Sequence, residues 1–269
     1  MMPASLQAGH GRPRVRSTPL AFALLALGLA LLAGCASTPP RTTERAPAGL
    51  GGRVIDLPPT AQRIVQIAEQ EWTLWGRLAP GAPEPARDPA PPPSLEHDPP
   101  FTTRVLLYWN SFSDPATALR RLRYPDGSLQ PWSAVFVSFV MRAAGVPERA
   151  FPASARHWDY IRHARAASPG AGVVALDATT TTPQPSDLIC APRGDTAGRV
   201  TRFDQLLQAD SIGTYHCDIV VAVMGGLVHA IGGNVGNGVA RLRIPLDSRG
   251  RLVRTADRPW LAVLRTTLP

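Results

Sequence analysis

The chain has no lysine: all 28 basic residues are Arg, against 20 Asp and Glu, for a formal net charge of +8. The surplus is scattered, with no Arg-rich run interleaved with aromatics, so no nucleic-acid partner is expected. Cysteine is scarce, at three residues. Cys190 and Cys217 fit no zinc spacing, and His216 and His229 do not complete a ligand set, so no metal site is expected. A glycine-rich phosphate loop is missing too. Gly232-Gly233-Asn234-Val235-Gly236-Asn237-Gly238 lacks the Lys and the following helix such a loop needs, and reads as a turn-rich connection. No cofactor is implied. The uncharged run at 20–34 has 15 residues. As a helix it is about 22 Å long at roughly 1.5 Å per residue, short of the roughly 30 Å hydrocarbon core of a bilayer.

What the chain does have is proline, 29 residues of 269 together with 23 Gly. That is near twice average usage, so some stretches lie outside any core, and one compact domain with irregular flanks is expected. At the N-terminus, Arg12, Arg14 and Arg16 precede the apolar run, which ends in Leu32-Ala33-Gly34-Cys35. This is the layout of a bacterial secretion signal over 1–34. Small residues before a Cys resemble the lipobox of bacterial lipoproteins. The resemblance implies lipidation of Cys35 and membrane attachment through it. Ala36 and Ser37 follow, with no Asp after the Cys, which by the same resemblance implies the outer membrane, facing the periplasm. In that oxidising compartment Cys190 and Cys217 are compatible with a disulfide or with two buried thiols.

Residues 35–60 are polar and proline-containing and read as a tether. The remainder, 61–269, is expected to be one α+β domain. Its first helix, at 61–76, carries Ile64, Ile67, Ala68, Trp72 and Trp75 on one face. A surface excursion at 79–100 contains nine prolines. One or two helices follow within 101–123, anchored by Leu106, Leu107 and Trp109, with Asp114-Pro115 opening the second. The segment 131–145 is apolar on nearly every side, with Pro131 near its start and Gly145 at its end, and reads as a buried central helix. A further helix is expected after Ser154, turning Trp158 and Ile161 inward and leaving His157 and His163 on exposed or partly exposed faces. Short β-rich runs then dominate: 187–190, 217–223, 227–231, 239–246 and 260–264. Helices first and strands afterwards predict N-terminal helices packed on an antiparallel sheet.

Ser133 lies in the first turn of the central helix, where free N–H groups and the helix dipole favour negative charge. His216 opens a strand and Asn234 follows the next one, so sheet and helix can bring a nucleophile, a base and an orienting group together. Asp218 shares the His216 face, two residues along the strand, as a His-orienting carboxylate or as a surface residue. Cys217 points the other way and is expected to be structural. His157 and His229 are candidates for substrate contact. Trp132 is either a groove wall or part of the core.

The segments Trp132-Ser133-Ala134-Val135-Phe136-Val137, Ala155-Arg156-His157-Trp158, Ser186-Asp187-Leu188-Ile189, His216-Cys217-Asp218-Ile219-Val220 and Ile231-Gly232-Gly233-Asn234 occur in the order of CHAP and NlpC-type papain-like domains. Over 72–264 the chain also resembles domain-of-unknown-function 2272, often seen in bacterial lipoproteins. The papain-like resemblance implies a cell-wall amidohydrolase or peptidase, with peptidoglycan or a peptide as ligand and Ser133, His216 and Asn234 as catalytic residues. Two departures stand out. Ser186 replaces a turn Gly, and Ser133 replaces the nucleophilic Cys. A papain-like Cys reacts as a thiolate beside an imidazolium, whereas a serine hydroxyl needs the His as a true general base. The resemblance therefore implies either a serine hydrolase or a catalytically inactive module that binds cell wall or peptide.

Overall fold

A computed structural model of the chain describes residues 57–80, 95–168 and 170–269. The expected leader, Cys35, nearly all of the tether and the middle of the proline-rich excursion lie outside these residues. No helix among the described residues is long and apolar enough to cross a membrane.

The helices are α1 (Pro59–Leu74), α2 (Pro99–Asn110), α3 (Pro115–Leu122), α4 (Ser133–Ala143), α5 (His157–Ala166) and the short α6 (Asp195–Arg199). Six strands form one sheet: β1 (Val173–Asp177), β2 (Leu188–Pro192), β3 (Tyr215–Met224), β4 (Leu227–Gly232), β5 (Ala240–Pro245) and β6 (Ala262–Thr266). Their order is β1-β6-β2-β3-β4-β5, and every neighbouring pair is antiparallel. The expected α+β class is thus observed.

Alternation along the strands divides the sheet between two apolar clusters. Leu188, Ile219, Ile231 and Leu264 face the helices, while Ile189, Val220, Ala230 and Val263 pack on the other face with Trp260 and Leu252. A period of two therefore places successive residues in different cores. The strands are consequently more continuously apolar than a half-solvated sheet would be.

Helix α4 packs against both the sheet and the helices around it. Val135, Phe136, Val137 and Val140 are fully buried, each such burial contributing roughly 1.5–3 kcal/mol. Its C-terminal end follows the expected punctuation. Gly145 has φ +83°, its N–H reaches the Arg142 carbonyl at 2.9 Å, and the Val146 N–H reaches Met141 at 3.0 Å, which satisfies carbonyls the helix would leave open. At the other end of the contact, Gly233 lets the chain after β4 approach α4. A Cβ there would lie 2.5 Å from the Phe136 Cβ, so only the bare backbone fits.

Several expectations are corrected. Of the expected α2 anchors, Trp109 is buried and Leu106 packs against the core, but Leu107 is exposed, and Val105 and Tyr108 complete the inward face. The C-terminal end of the proline-rich excursion is ordered: Leu95–His97 form a 3-10 turn and Pro99 and Pro100 start α2, as prolines do where the first N–H groups need no partner. Strand β1 had no counterpart among the expected strands. It is one of the two edges of the sheet and pairs with β6.

Candidate functional site

The start of α4 is fixed by aromatics. Trp132, the residue just before the helix, is fully buried. It stacks on Trp75 with ring centroids 5.2 Å apart, and its indole N–H donates to Glu96 Oε2 at 2.7 Å. Trp132 is therefore core and does not wall a groove. Its immobility sets the position of the next residue, Ser133. No side chain caps α4, so the first-turn N–H groups have no capping acceptor.

Facing Ser133 is the beginning of β3. Strand β2 pairs with it so that Cys190 opposes Cys217 and Ala191 opposes His216. Cys190 and Cys217 form a disulfide across this register. The sequence alone left that bond open. Cys217 and His216 point to opposite faces, as a strand requires, and Asp218 returns to the face of His216.

The geometry at the centre is a chain of hydrogen bonds. Ser133 Oγ lies 2.8 Å from His157 Nε2 and 2.9 Å from His216 Nδ1. His216 Nε2 lies 2.8 Å from Asp218 Oδ1. At the far end, His157 Nδ1 meets the Tyr160 hydroxyl one helical turn along α5. Donor counting gives the chain a single direction. Asp218 accepts from His216 Nε2–H, which leaves Nδ1 of the neutral imidazole to accept the Ser133 proton. The Ser133 oxygen then accepts from His157 Nε2–H, and His157 Nδ1 accepts from Tyr160.

The charges agree with this direction. Burial pushes the His157 pKa well below its ordinary value, and the neighbouring His216 and Arg193 add to the effect. Burial raises the Tyr160 pKa well above that of a free phenol, with Asp218 and Asp159 adding to it; this keeps its proton available for donation. For Asp218, burial opposes ionisation, but His216, Arg258 and Arg193 outweigh it and hold the carboxyl below its ordinary value. Arg258 reaches Asp218 Oδ2 at 3.4 Å. Gly232 makes room for this carboxylate, since a Cβ at 232 would collide with Asp218 Oδ1.

The chain opens on a cavity of about 730 Å³ lined by Ser133, His157, His216 and Asn234, with Trp109 and Gln130 among its other walls. Its volume falls within the usual range for small-molecule sites.

Of the expected site residues, Ser133 and His216 are brought into contact. Asn234 lines the same cavity but does not orient His216; Asp218 makes that hydrogen bond. The short reach of Asp218 along its own strand gives it the position, whereas Asn234 sits in a loop residue with φ +56°. His157 was expected on an exposed or partly exposed face and as a groove residue. It does line the cavity, but it is only 5% exposed and is hydrogen-bonded to Ser133 itself. His229 is on β4, away from the cavity lining. Tyr160, Arg193 and Arg258 were not anticipated. Tyr160 had a signal, its i+3 relation to His157 on a helix. Arg193 becomes locatable only once the strand register is known, since its N–H bonds the Thr214 carbonyl at 2.8 Å.

Ser186 occupies the turn before Asp187 with φ +76°, the left-handed conformation for which a glycine is the natural residue. Asp187 anchors that turn, accepting from the Gln184 N–H at 2.8 Å and from Arg265 at 2.7 Å.

No curated protein and no solved structure matches the chain. One family model does match, described as "uncharacterized protein conserved in bacteria (DUF2272)", over residues 104–266. That interval is more than half of the chain and contains α4, α5, the whole sheet and every residue of the Tyr160–His157–Ser133–His216–Asp218 chain, so the protein belongs to the DUF2272 family.

Proposed function

We propose that this protein is a serine hydrolase of papain-like type that cleaves amide or peptide bonds of peptidoglycan at the bacterial envelope. The observation that carries the reading is Ser133 Oγ at 2.9 Å from His216 Nδ1 while His216 Nε2 is 2.8 Å from Asp218. Nucleophile, base and orienting carboxylate thus stand in the relation acyl transfer requires. In the first step Ser133 Oγ attacks the carbonyl carbon and its proton passes to His216 Nδ1. Asp218 stabilises the imidazolium through Nε2–H. N–H groups at the uncapped start of α4 face the developing oxyanion. His216 then returns the proton to the leaving amine, leaving an ester on Ser133. Water, deprotonated by His216, attacks that ester, and as the acyl–Oγ bond breaks His216 returns the proton to Ser133 Oγ, releasing the acid. His157 Nε2–H donates to Oγ in the resting site and favours build-up of negative charge on it.

The order of the Ser133 helix, the His216 strand and the following Gly232-Gly233-Asn234 loop supports the papain-like assignment. Peptidoglycan as substrate rests on the resemblance to CHAP and NlpC-type domains. Attachment by lipidated Cys35 to the outer membrane, facing the periplasm, rests on the small residues before Cys35 and the absence of Asp after it. Mass analysis of the N-terminal peptide tests the anchor directly, an unmodified Cys35 counting against it.

For the reaction, the full chain is incubated with peptidoglycan fragments beside Ser133→Ala, Ser133→Cys and His216→Ala, and products are weighed by mass spectrometry. New fragments from the wild type, reduced at least about 10³-fold in both alanine variants, are the expected result. Cleavage that persists in Ser133→Ala rejects the assignment. A second reading has one specific observation in its favour, the hydroxyl that stands where the resembling families carry a thiol. In that reading the cavity retains a peptide or glycan strand without cutting it. Silence from the wild type with cleavage by Ser133→Cys would select it.

A further inference from the structure

The walls of the Ser133 cavity carry charge of one sign. Arg156, Arg193 and Arg258 line it, and no Asp or Glu does. The three differ in how their charge is answered. Arg156 is paired with Asp159 at 2.7 Å and is largely exposed. Arg258 reaches Asp218 at 3.4 Å, but that carboxylate is fully buried and its other oxygen is engaged by His216. Arg193 has no ion pair among the described residues. Its side chain donates to the Asp257 carbonyl at 3.3 Å, a neutral acceptor.

Asp218 is the one carboxylate in contact with either Arg193 or Arg258 among the described residues, and it touches only Arg258 while already serving His216. Burial and the nearby Arg258 both disfavour the charge on Arg193, and Asp218 and Asp257 only partly offset them. A guanidinium does not shed its proton at neutral pH, so the wall keeps a standing positive charge. The cavity is rich in donors and lacks an anionic acceptor of its own. Beyond its share in holding His157 low and Asp218 ionised, Arg193 takes no part in the catalytic steps described above.

We propose that this wall is a carboxylate-binding subsite, with Arg193 as its principal contact and Arg258 as its second. It makes the enzyme selective for peptides with a free carboxylate close to the bond that Ser133 attacks. The planar fork of Arg193 suits two parallel hydrogen bonds to such a group. The inference rests on the hydrolase reading and specifies its substrate class.

The test uses short acyl peptides and peptidoglycan fragments prepared as twins, with the carboxylate nearest the scissile bond free in one and converted to a carboxamide in the other. The full chain, Arg193→Gln and Arg193→Lys are compared by kcat/KM, with thermal melting to establish that each variant is folded. The wild type is expected to prefer the free acid by about 30-fold or more, the scale of a charge-assisted bidentate contact. Arg193→Gln is expected to bring the ratio within about threefold of one, and Arg193→Lys to keep an intermediate preference. Equal turnover of the twins by the wild type, or an undiminished preference in Arg193→Gln, overturns the subsite.

If the wild type cuts neither twin, the hydrolase reading fails separately, and calorimetric binding of the twins decides the subsite. Tighter binding of the free acid that is lost in Arg193→Gln supports it. Equal binding, or none, overturns it.

Discussion

Two buried carboxylates in this molecule have similar partners and different surroundings. Glu71, on α1, accepts from the Tyr108 hydroxyl at 2.6 Å and from both sides of the Arg104 fork. Trp75 donates to the same Tyr108 hydroxyl at 2.8 Å. Asp218, on β3, is likewise buried, likewise near an arginine, and likewise joined to a hydrogen-bonded ring. Around Glu71 the network joins the packed rings of Trp75, Tyr108 and Trp132 to the partly exposed guanidinium of Arg104. Around Asp218 it continues through His216 to a hydroxyl on a cavity. Burial and pairing do not by themselves distinguish structure from chemistry. The distinction lies in what the open end of each network carries: a guanidinium at Arg104 in one, a hydroxyl between two imidazoles at Ser133 in the other.

The comparison can be broken at its most sensitive point by Asp218→Asn. Loss of the carboxylate removes the charge that steadies an imidazolium and permits the wrong tautomer of His216, so kcat is expected to fall on the order of 10³-fold in an assay of peptidoglycan-fragment cleavage. A fall of less than tenfold would place Asp218 with Glu71 as a structural group.

Glu71→Ala is the reciprocal test. Removing Glu71 leaves the buried Tyr108 hydroxyl and the partly exposed Arg104 without their acceptor and costs about 1–3 kcal/mol, read from urea unfolding. Turnover per folded molecule is expected to stay within about twofold of the wild type.

A third test uses pH. His157 is held neutral by burial, His216 and Arg193, while the unfolded chain protonates its histidines near pH 6.5. Below that pH the unfolded state binds a proton that the folded state refuses. Stability is therefore fully present above about pH 6.5 and falls toward acid, by up to about 1.4 kcal/mol per pH unit for each such group. His229, whose pKa is lowered by burial and then by Arg241 and Arg243, contributes with the same sign. Urea midpoints at pH 7.5 and 5.5 should therefore differ, and the difference should shrink in His157→Gln. No change in slope would show that His157 is not held neutral.

The smallest expected effect is at Ser186. Its left-handed backbone costs about 1–2 kcal/mol for a residue with a Cβ, partly offset by the greater freedom glycine has when unfolded. Ser186→Gly should raise stability by about 0.5 kcal/mol, measured by the same unfolding curves. A loss of stability would show that the hydroxyl has a role the backbone angle does not reveal.

Where local physics decides, the sequence was readable. The apolar run ending at Gly145 gave the central helix, and alternation along 217–223 placed His216 and Asp218 on one face and Cys217 on the other. The position of Ser133 in the first turn of α4 followed from the same run. Long-range pairing was not readable. Whether Cys190 meets Cys217 depends on register between strands 27 residues apart in sequence, which no local pattern contains. The edge strand β1 carries only five residues, four of them half-buried, too weak a pattern to stand out. His157 was misplaced because its surroundings are supplied by α4 and β3, while its own helix begins with polar neighbours. The papain-like resemblance gives Asn234 the orienting role and the strand alternation offers Asp218 as the alternative; which of them reaches His216 is decided by geometry, and it is Asp218.

Gly232 ties two distant positions of the chain together. With any side chain at 232, the Asp218 carboxylate loses the space in which it meets His216. The two positions therefore form one unit of inheritance. Among relatives that keep an acid at 218, residue 232 should be glycine, and a lineage that gains bulk at 232 should be found to have surrendered the acid. Glycine at 232 thus marks the relatives in which the His216–Asp218 hydrogen bond has room to form.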